Sequence, residues 1–249
     1  DTFRNIDEDI RYINHTPIVG EVDGLFHLAA TPRVQLSFDH PEETNSVNIN
    51  GTLAVLEWAR ENKIPRVVFA SSSTAKTKMS PYGIQKATCE DYMNLYNEYM
   101  GVNTVCLRYH SVYGPNMDSS GNYTLLVPKL LDCANKFRGD FYEEREFVLY
   151  GTGDTKRDFT FISDVLDATI LAMESSASGV FEIGCQTPVS VNEVIQVIEK
   201  ITNQKILVRN APARIEPDIT HADITRAKEE LGWTPKVSFS EGIEKTLEK

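Results

Sequence analysis

The sequence predicts an α/β chain: a doubly wound parallel sheet followed by a smaller mixed α/β lobe. Three observations carry that expectation. Short apolar runs alternate with stretches of helical period up to Gly114. The runs are apolar at consecutive positions, as in strands buried on both faces of a parallel sheet. Past Gly114 the alternation gives way to longer irregular stretches. The expected organisation is a first domain over residues 1–114, with 158–175 packing back onto it, and a second over 115–249.

The elements follow in order. VDGLFHLAA (22–30) and RVVFASSS (66–73) read as strands. Between them, NSVNINGTLAVLEWARENK (45–63) has apolar residues at 49, 53, 56 and 59 and reads as a helix. YGIQKATCEDYMNLYNEYMG (82–101) is a second helix closed by Gly101, and NTVCLRYHSVYG (103–114) a further strand. Later come a strand and turn in REFVLYGTGD and an amphipathic helix over 190–203. A helix in DITRAKEELGW is expected to start at the cap Asp223 and stop at Gly232. Ser238 and Glu241 are placed to form a capping box for the last helix.

Composition excludes several classes. The 249 residues, 41% of them hydrophobic, suffice for a sizeable core. A net charge of −11 disfavours nucleic acid and anionic membranes as partners. No run approaches the roughly 20 apolar residues of a membrane span. The opening DTFRNIDEDI is too acidic for a signal peptide, so a cytoplasmic protein is expected. Cys89, Cys106, Cys133 and Cys185 form no C-x-x-C pair, and the five histidines lack ligand spacing. Neither a disulfide framework nor a metal site is expected.

The chemistry-bearing stretch is SPYGIQK (80–86). Tyr82 and Lys86, four apart on a helix, share a face and project from its first turn toward the strand ends, where such sheets bind ligands. A phenol near pKa 10 needs roughly 4 kcal/mol of extra phenolate stabilisation to act as a base at neutral pH. An adjacent ammonium and a cationic cofactor ring are suited to supply it. Ser72 or Ser73, at the neighbouring strand end, can hydrogen-bond the hydroxyl that Tyr82 deprotonates. The set suits alcohol oxidation by hydride transfer, although a Tyr and a Lys four apart occur by chance in many helices.

FASSS, SPYGIQK, HLAA, NINGTL, LRYHSVYGP and YGTGDTKRDFTFISDV appear in one chain, in the order found in a known family. Over nearly its whole length the sequence resembles the extended short-chain dehydrogenase/reductases of the NAD-dependent nucleotide-sugar epimerase/dehydratase family, the group of UDP-glucose 4-epimerase. The resemblance implies a Rossmann-like first domain that binds NAD and a second lobe that binds a UDP-sugar. It implies Tyr82 as the catalytic base and acid, Lys86 on the nicotinamide ribose and Ser72, in preference to Ser73, on the reacting hydroxyl. Leu28, Ala29, Ala30 and Asn48 match positions along the cofactor, as do Tyr109 and His110 after the later strand. The family usually has an aromatic or apolar residue where His110 stands, and a structural histidine there is an equal alternative. Arg157 matches an arginine on the diphosphate. Val148 and Tyr150 match the strand that holds the uracil, Ser111 a position often held by asparagine, and Arg214 with Glu216 a ribose and phosphate clamp. The helices after Gly51 and Tyr82 match those through which relatives form homodimers as a four-helix bundle.

The sequence departs from the family in places. The opening turn G-x-x-G-x-x-G is absent, and with it the strand and helix N-terminus that take the pyrophosphate. DTF resembles the end of the family's second strand, and Asp1 matches the acidic residue on the adenosine ribose. The spans from DTF to RYINH and from Ser73 to Ser80 are shorter than in the family. All three losses fall at cofactor-lining loops, which implies the ordered part of a longer protein. After Ser72 stand Ser73 and Thr74, with no carboxylate to act at other sugar carbons. That favours 4-epimerisation through a 4-keto sugar. A UDP-glucuronate decarboxylase, which RYINH and VDGLFHLA resemble, another sugar-nucleotide dehydratase and a non-catalytic sugar-nucleotide-binding protein are the alternatives.

Overall fold

The computed structural model describes residues 7–18, 20–118, 123–135, 137–138, 141–142, 146–214 and 216–248. After a 3-10 turn at Ile10–His15 come β1 (Leu25–His27), α1 (Val34–Asp39), α2 (Pro41–Asn45), a π turn (Ser46–Asn50) and α3 (Gly51–Glu61). There follow β2 (Arg66–Ser72), α4 (Thr74–Thr77), α5 (Pro81–Tyr99), β3 (Asn103–Tyr109), β4 (Val112–Tyr113) and α6 (Leu126–Ala134). The next are β5 (Phe137–Arg138), β6 (Phe141–Tyr142), β7 (Glu146–Tyr150), β8 (Lys156–Arg157), β9 (Thr160–Phe161) and α7 (Ile162–Glu174). The last are β10 (Gly179–Ile183), β11 (Val189–Ser190), α8 (Val191–Thr202), β12 (Leu207–Ala211), α9 (Thr225–Glu230) and α10 (Phe239–Leu247). The chain divides into unit 1, Asp1–Arg108 with Thr169–Phe181, and unit 2, Tyr109–Ala168 with Glu182–Lys249.

Unit 1 is built on a sheet in the order β1-β2-β3-β10, with β1 parallel to β2 and Leu25 opposite Val67. Val67, Val68 and Phe69 are buried in succession, which is why that run carries no alternation. Leu56, Met93 and Cys106 complete the core from the flanking elements. Helix α5 begins where its sequence dictates: the Ser80 hydroxyl accepts from Gly83 N at 3.0 Å and Pro81 opens the first turn. Gly101 closes it at φ +74°. Gly83 is required because a Cβ there would stand 2.6 Å from the Thr74 carbonyl oxygen. The buried Arg66 donates to the carbonyls of Ala172 and Ala177 at 2.7 and 2.6 Å, satisfying the C-terminal end of α7.

The expected helix over 45–63 is interrupted. Residues 46–50 form a π turn before α3 starts, a widening that turns Asn48 inward. The strand expected through Ser73 ends at Ser72, because Ser73 turns into α4.

Unit 2 packs Leu130, Phe147, Leu149, Phe161, Ile198 and Ile243 into one core. β12 pairs with β7 and β9 with β4, both parallel, while β11 pairs antiparallel with β8. The complete capping box lies at Ser190 and Glu193, whose side chain and backbone bonds are reciprocal. At Ser238, where the box was expected, the hydroxyl accepts from Glu241 N at 3.4 Å, and the Glu241 carboxylate pairs with Lys245 instead. Asp223 accepts from Thr225 N at 3.1 Å, and α9 stops before Gly232 at φ +66°.

One carboxylate fixes the centre of unit 2. Asp158, fully buried, accepts from Cys185 N at 2.8 Å and from Gln186 N and Ala222 N at 3.0 Å. Its position immediately after Arg157 couples that residue to two chain segments, at 185–186 and at 222. Asp158→Ala leaves the three N–H groups without their acceptor, at about 1–3 kcal/mol each. Urea unfolding is expected to show a loss of at least about 3 kcal/mol, and a loss below about 1 kcal/mol refutes the role.

Candidate active site

In unit 1 the strand end of β2, the first turn of α5 and the loop after β1 gather the titratable groups. Tyr82 is the second residue of α5, and its backbone N donates to the Ser37 hydroxyl of α1 at 3.0 Å. One turn on, Lys86 is buried and donates to the Ala70 carbonyl at 2.6 Å. Its Nζ lies 4.4 Å from the centroid of Phe69 and 5.8 Å from that of Tyr82. Ser72 Oγ accepts from Thr74 N at 3.2 Å and Thr74 Oγ1 at 2.9 Å, which leaves its own proton to donate. Ser71, one residue earlier, is committed to Glu90, which also takes the Arg108 fork at 2.8 and 2.6 Å. The chain thus spares Ser72 and spends Ser71 on structure.

The expectation that the ammonium acidifies the phenol is not met in this arrangement. Burial pushes Tyr82 up to about 12, with the charge of Arg33 pulling it down. Burial likewise lowers Lys86 to about 8, and the amine is engaged by Ala70. His27 lies in the same region, buried, with Nε2 2.9 Å from Thr52 Oγ1. Desolvation, then the Lys86 charge, lowers it to about 3, so it is neutral at pH 7.

Leu28 and Ala29 are exposed just past β1, presenting small and apolar side chains at a parallel strand's carboxyl end. Asn48 is buried under that loop: its Oδ1 accepts from Thr31 N at 2.8 Å, and its Nδ2 donates to Thr31 O at 3.1 Å and Gln85 Oε1 at 2.8 Å. Ala30 is half-buried beside it. Sequence reasoning missed Gln85, although it stands inside SPYGIQK. Its signal was a polar residue on the buried side of a helix. Asp1 lies outside the described residues.

Unit 2 holds the other expected residues. Val148, Tyr150, Arg157, Arg214 and Glu216 line one cavity of about 460 Å³. The Arg157 guanidinium donates to Glu216 at 2.5 Å and to the Pro217 carbonyl at 2.9 Å. The Arg214 guanidinium lies on the Tyr150 ring, 3.5 Å from its centroid. Lys129 of α6 adds a cation to this wall that no motif flagged. Ser111, at φ +31°, is not among the cavity's lining residues. Tyr109 ends β3, and His110 beyond it is buried. His110 N donates to Ile183 O at 3.0 Å, and its ring Nε2 stands 3.7 Å from the Glu182 carboxylate. Among the described residues, no group of three His, Cys, Asp or Glu is placed to hold a metal, and no helix is long and apolar enough to cross a membrane.

Comparison with known proteins agrees with this chemistry. The NAD dependent epimerase/dehydratase family matches residues 11–184. UDP-glucuronate 4-epimerase of Thermodesulfobacterium geofontis is 27% identical, over 91% of this chain and 72% of its own. UDP-N-acetyl-alpha-D-glucosaminuronate decarboxylase of Bacillus cytotoxicus is 29% identical, over 93% of this chain and 77% of its own. The crystal structure of UDP-glucose 4-epimerase from Thermotoga maritima with UDP-glucose superposes with a TM-score of 0.83 at 31% identity. It covers 91% of this chain and 76% of the other.

The buried His27 makes stability depend on pH. Between pH 6.5 and about 3 the unfolded chain takes up a proton that folded His27 refuses. Stability from this residue is therefore full above 6.5 and falls as the pH drops through that window. Between pH 7 and 5 the loss is about 2 kcal/mol. Unfolding of His27→Gln is expected to lack that part of the slope, and an unchanged slope would show that His27 titrates normally.

Proposed function

Because the chain belongs to the NAD dependent epimerase/dehydratase family, we propose that it is a UDP-sugar 4-epimerase, with unit 1 supplying the redox site and unit 2 the nucleotide site. The observation that carries the reading is the strand end of β2. There Ser72 keeps a proton to donate, and its successors Ser73 and Thr74 are neutral. Dehydration and decarboxylation call for an acid or base at a second sugar carbon, and this strand end provides none.

NAD fits unit 1: the open shelf at Leu28 and Ala29, pinned from below by Asn48, lies at a strand's carboxyl end, with Lys86 and Tyr82 beside it. When bound, NAD would supply an acceptor and donor of hydride for the sugar carbon. Tyr82 accepts the proton of the C4 hydroxyl and later gives it back, while Ser72 holds that oxygen. A phenol at about 12 does this only with positive charge brought near, so Tyr82 works as a base in the loaded enzyme. Lys86, released from Ala70, is suited to hold the ribose hydroxyls. The 4-keto sugar turns over before reduction on its other face, which inverts C4.

In unit 2 the cavity suits the UDP moiety, with Val148 and Tyr150 at the uracil and Arg157 and Arg214 at the diphosphate. Cys89, Cys106, Cys133 and Cys185 are all free thiols, in keeping with a cytoplasmic enzyme. Ile84, Leu95 and Tyr99 lie on one side of α5 and are 52%, 45% and 78% exposed. We assign that stripe to a second copy of the chain, because two such helices pack isologously.

With NAD and a UDP-sugar, product separation is expected to show the C4 epimer without carbon dioxide release; gas evolution overturns the epimerase in favour of a decarboxylase. Tyr82→Phe is expected to lose at least about 1,000-fold in kcat while binding UDP as before, and retained turnover removes Tyr82 from the reaction. Light scattering is expected to give about twice the 28.0 kDa chain mass. Leu95→Glu is expected to halve it, and a monomeric parent protein ends the dimer assignment.

A further inference from the structure

Arg33 stands apart from the other arginines whose side chains are described. Arg11, Arg60, Arg108, Arg157, Arg209 and Arg226 pair with carboxylates. Arg66 is spent on carbonyls and Arg214 on an aromatic ring. Arg33 is half-buried, and its guanidinium has no hydrogen-bond or ion-pair partner among the described residues. In a chain with 36 acidic residues against 25 basic ones, that is an exception. A guanidinium partly withdrawn from water without an anion gives up hydration for nothing unless a ligand supplies one.

Its place in unit 1 is fixed from both sides. Two residues before it, the backbone of Thr31 is held by Asn48, which reaches Gln85 of α5 at 2.8 Å. Four residues after it, the Ser37 hydroxyl accepts from Tyr82 N at 3.0 Å. Arg33 therefore rides on a segment stapled twice to the helix that carries Tyr82, and its charge is felt there. Its backbone sits at φ +102°, a region that side chains enter only at a cost. The adjoining strand end offers Ser72, Ser73 and Thr74, hydroxyls that neither neutralise Arg33 nor repel an anion.

We propose that Arg33 is a specificity-determining residue whose guanidinium pairs with a carboxylate on the sugar that Tyr82 deprotonates, making a UDP-uronate the preferred substrate over a neutral UDP-hexose. This deepens the epimerase reading and rests on it.

The test compares UDP-glucuronate with UDP-glucose on the NAD-loaded full chain, its Arg33→Met variant and its Arg33→Lys variant. The parent protein is expected to favour UDP-glucuronate in kcat/KM by at least about 10-fold. Arg33→Met is expected to lose about 10- to 100-fold on UDP-glucuronate, mostly in KM, and less than about 3-fold on UDP-glucose. Arg33→Lys, which keeps the charge, is expected to regain part of the loss and guards against a folding defect in the first variant. Equal losses on both sugars, or a matching loss of NAD affinity, overturn the proposal by placing Arg33 on the phenol or on the dinucleotide phosphates. No loss on either sugar overturns it as well. If neither sugar turns over, the epimerase reading fails by itself. Binding isotherms of the two UDP-sugars to the parent and Arg33→Met proteins then decide Arg33: a preference for UDP-glucuronate that the variant abolishes supports it, and equal affinities refute it.

Discussion

A buried primary amide must fill its hydrogen-bonding positions or destabilise the fold, and Asn48 meets that demand by joining parts of unit 1 that are distant in sequence. Its contacts to both backbone groups of Thr31 act like a rung of sheet, and its third bond goes to Gln85. Gln85 in turn donates to Thr44 at 3.0 Å. To bring Asn48 inward the chain opens a π turn, and the freed Asn48 carbonyl accepts from Thr52 Oγ1 at 2.6 Å and Cys89 Sγ at 3.2 Å. Thr52 spends its proton there, so its contact with His27 is a bond donated by Nε2–H. Neutral His27 therefore carries its proton on Nε2. One connected network thus sets the loop after β1, the first turns of α5 and the tautomer of a histidine.

That interior penalises charge of either sign. It holds Tyr82 protonated and His27 neutral, and it lowers Lys86 to about 8. Such a place is inert by itself and responsive to a cationic ligand, because in a low dielectric each added charge acts strongly. The serines follow the same economy: Ser71 is tied to the Glu90 and Arg108 pair, and its neighbour Ser72 is left with a free proton. Alternation along a strand makes the two hydroxyls face opposite ways, so one is structural and the next is open.

What the sequence disclosed was whatever depends on local chemistry. Ser80 followed by Pro81 marks a helix start, and with that start Tyr82 and Lys86 must share a face. Consecutive apolar residues in RVVFASSS mark a buried strand, and five of the seven expected substrate residues meet in one cavity. What stayed hidden depends on partners far along the chain. The π turn answers to Thr31 and Gln85, neither visible from its own window. Two Ser-x-x-Glu patterns looked alike, yet only the one at Ser190 closes, since Lys245 competes for Glu241. The role of Asp158 was hidden in the same way, since only the fold brings Cys185, Gln186 and Ala222 to it.

The same distinction governs how unit 2 can take a nucleotide. Arg157 is already paired, with a carboxylate that remains 38% exposed. A pair so open to water contributes at most about 1 kcal/mol, because the solvated ions lose little on separating. A diphosphate brings more negative charge and a geometry that matches the planar fork, so under the proposed reading it displaces Glu216 at small cost. Before that exchange Glu216 has a use: it keeps the guanidinium extended into the cavity wall, and the Pro217 carbonyl holds a second N–H in place. The orientation is thus prepared while the charge stays exchangeable, which is what a recognition arginine needs and what the fully buried Asp158 beside it, locked by three backbone groups, cannot offer.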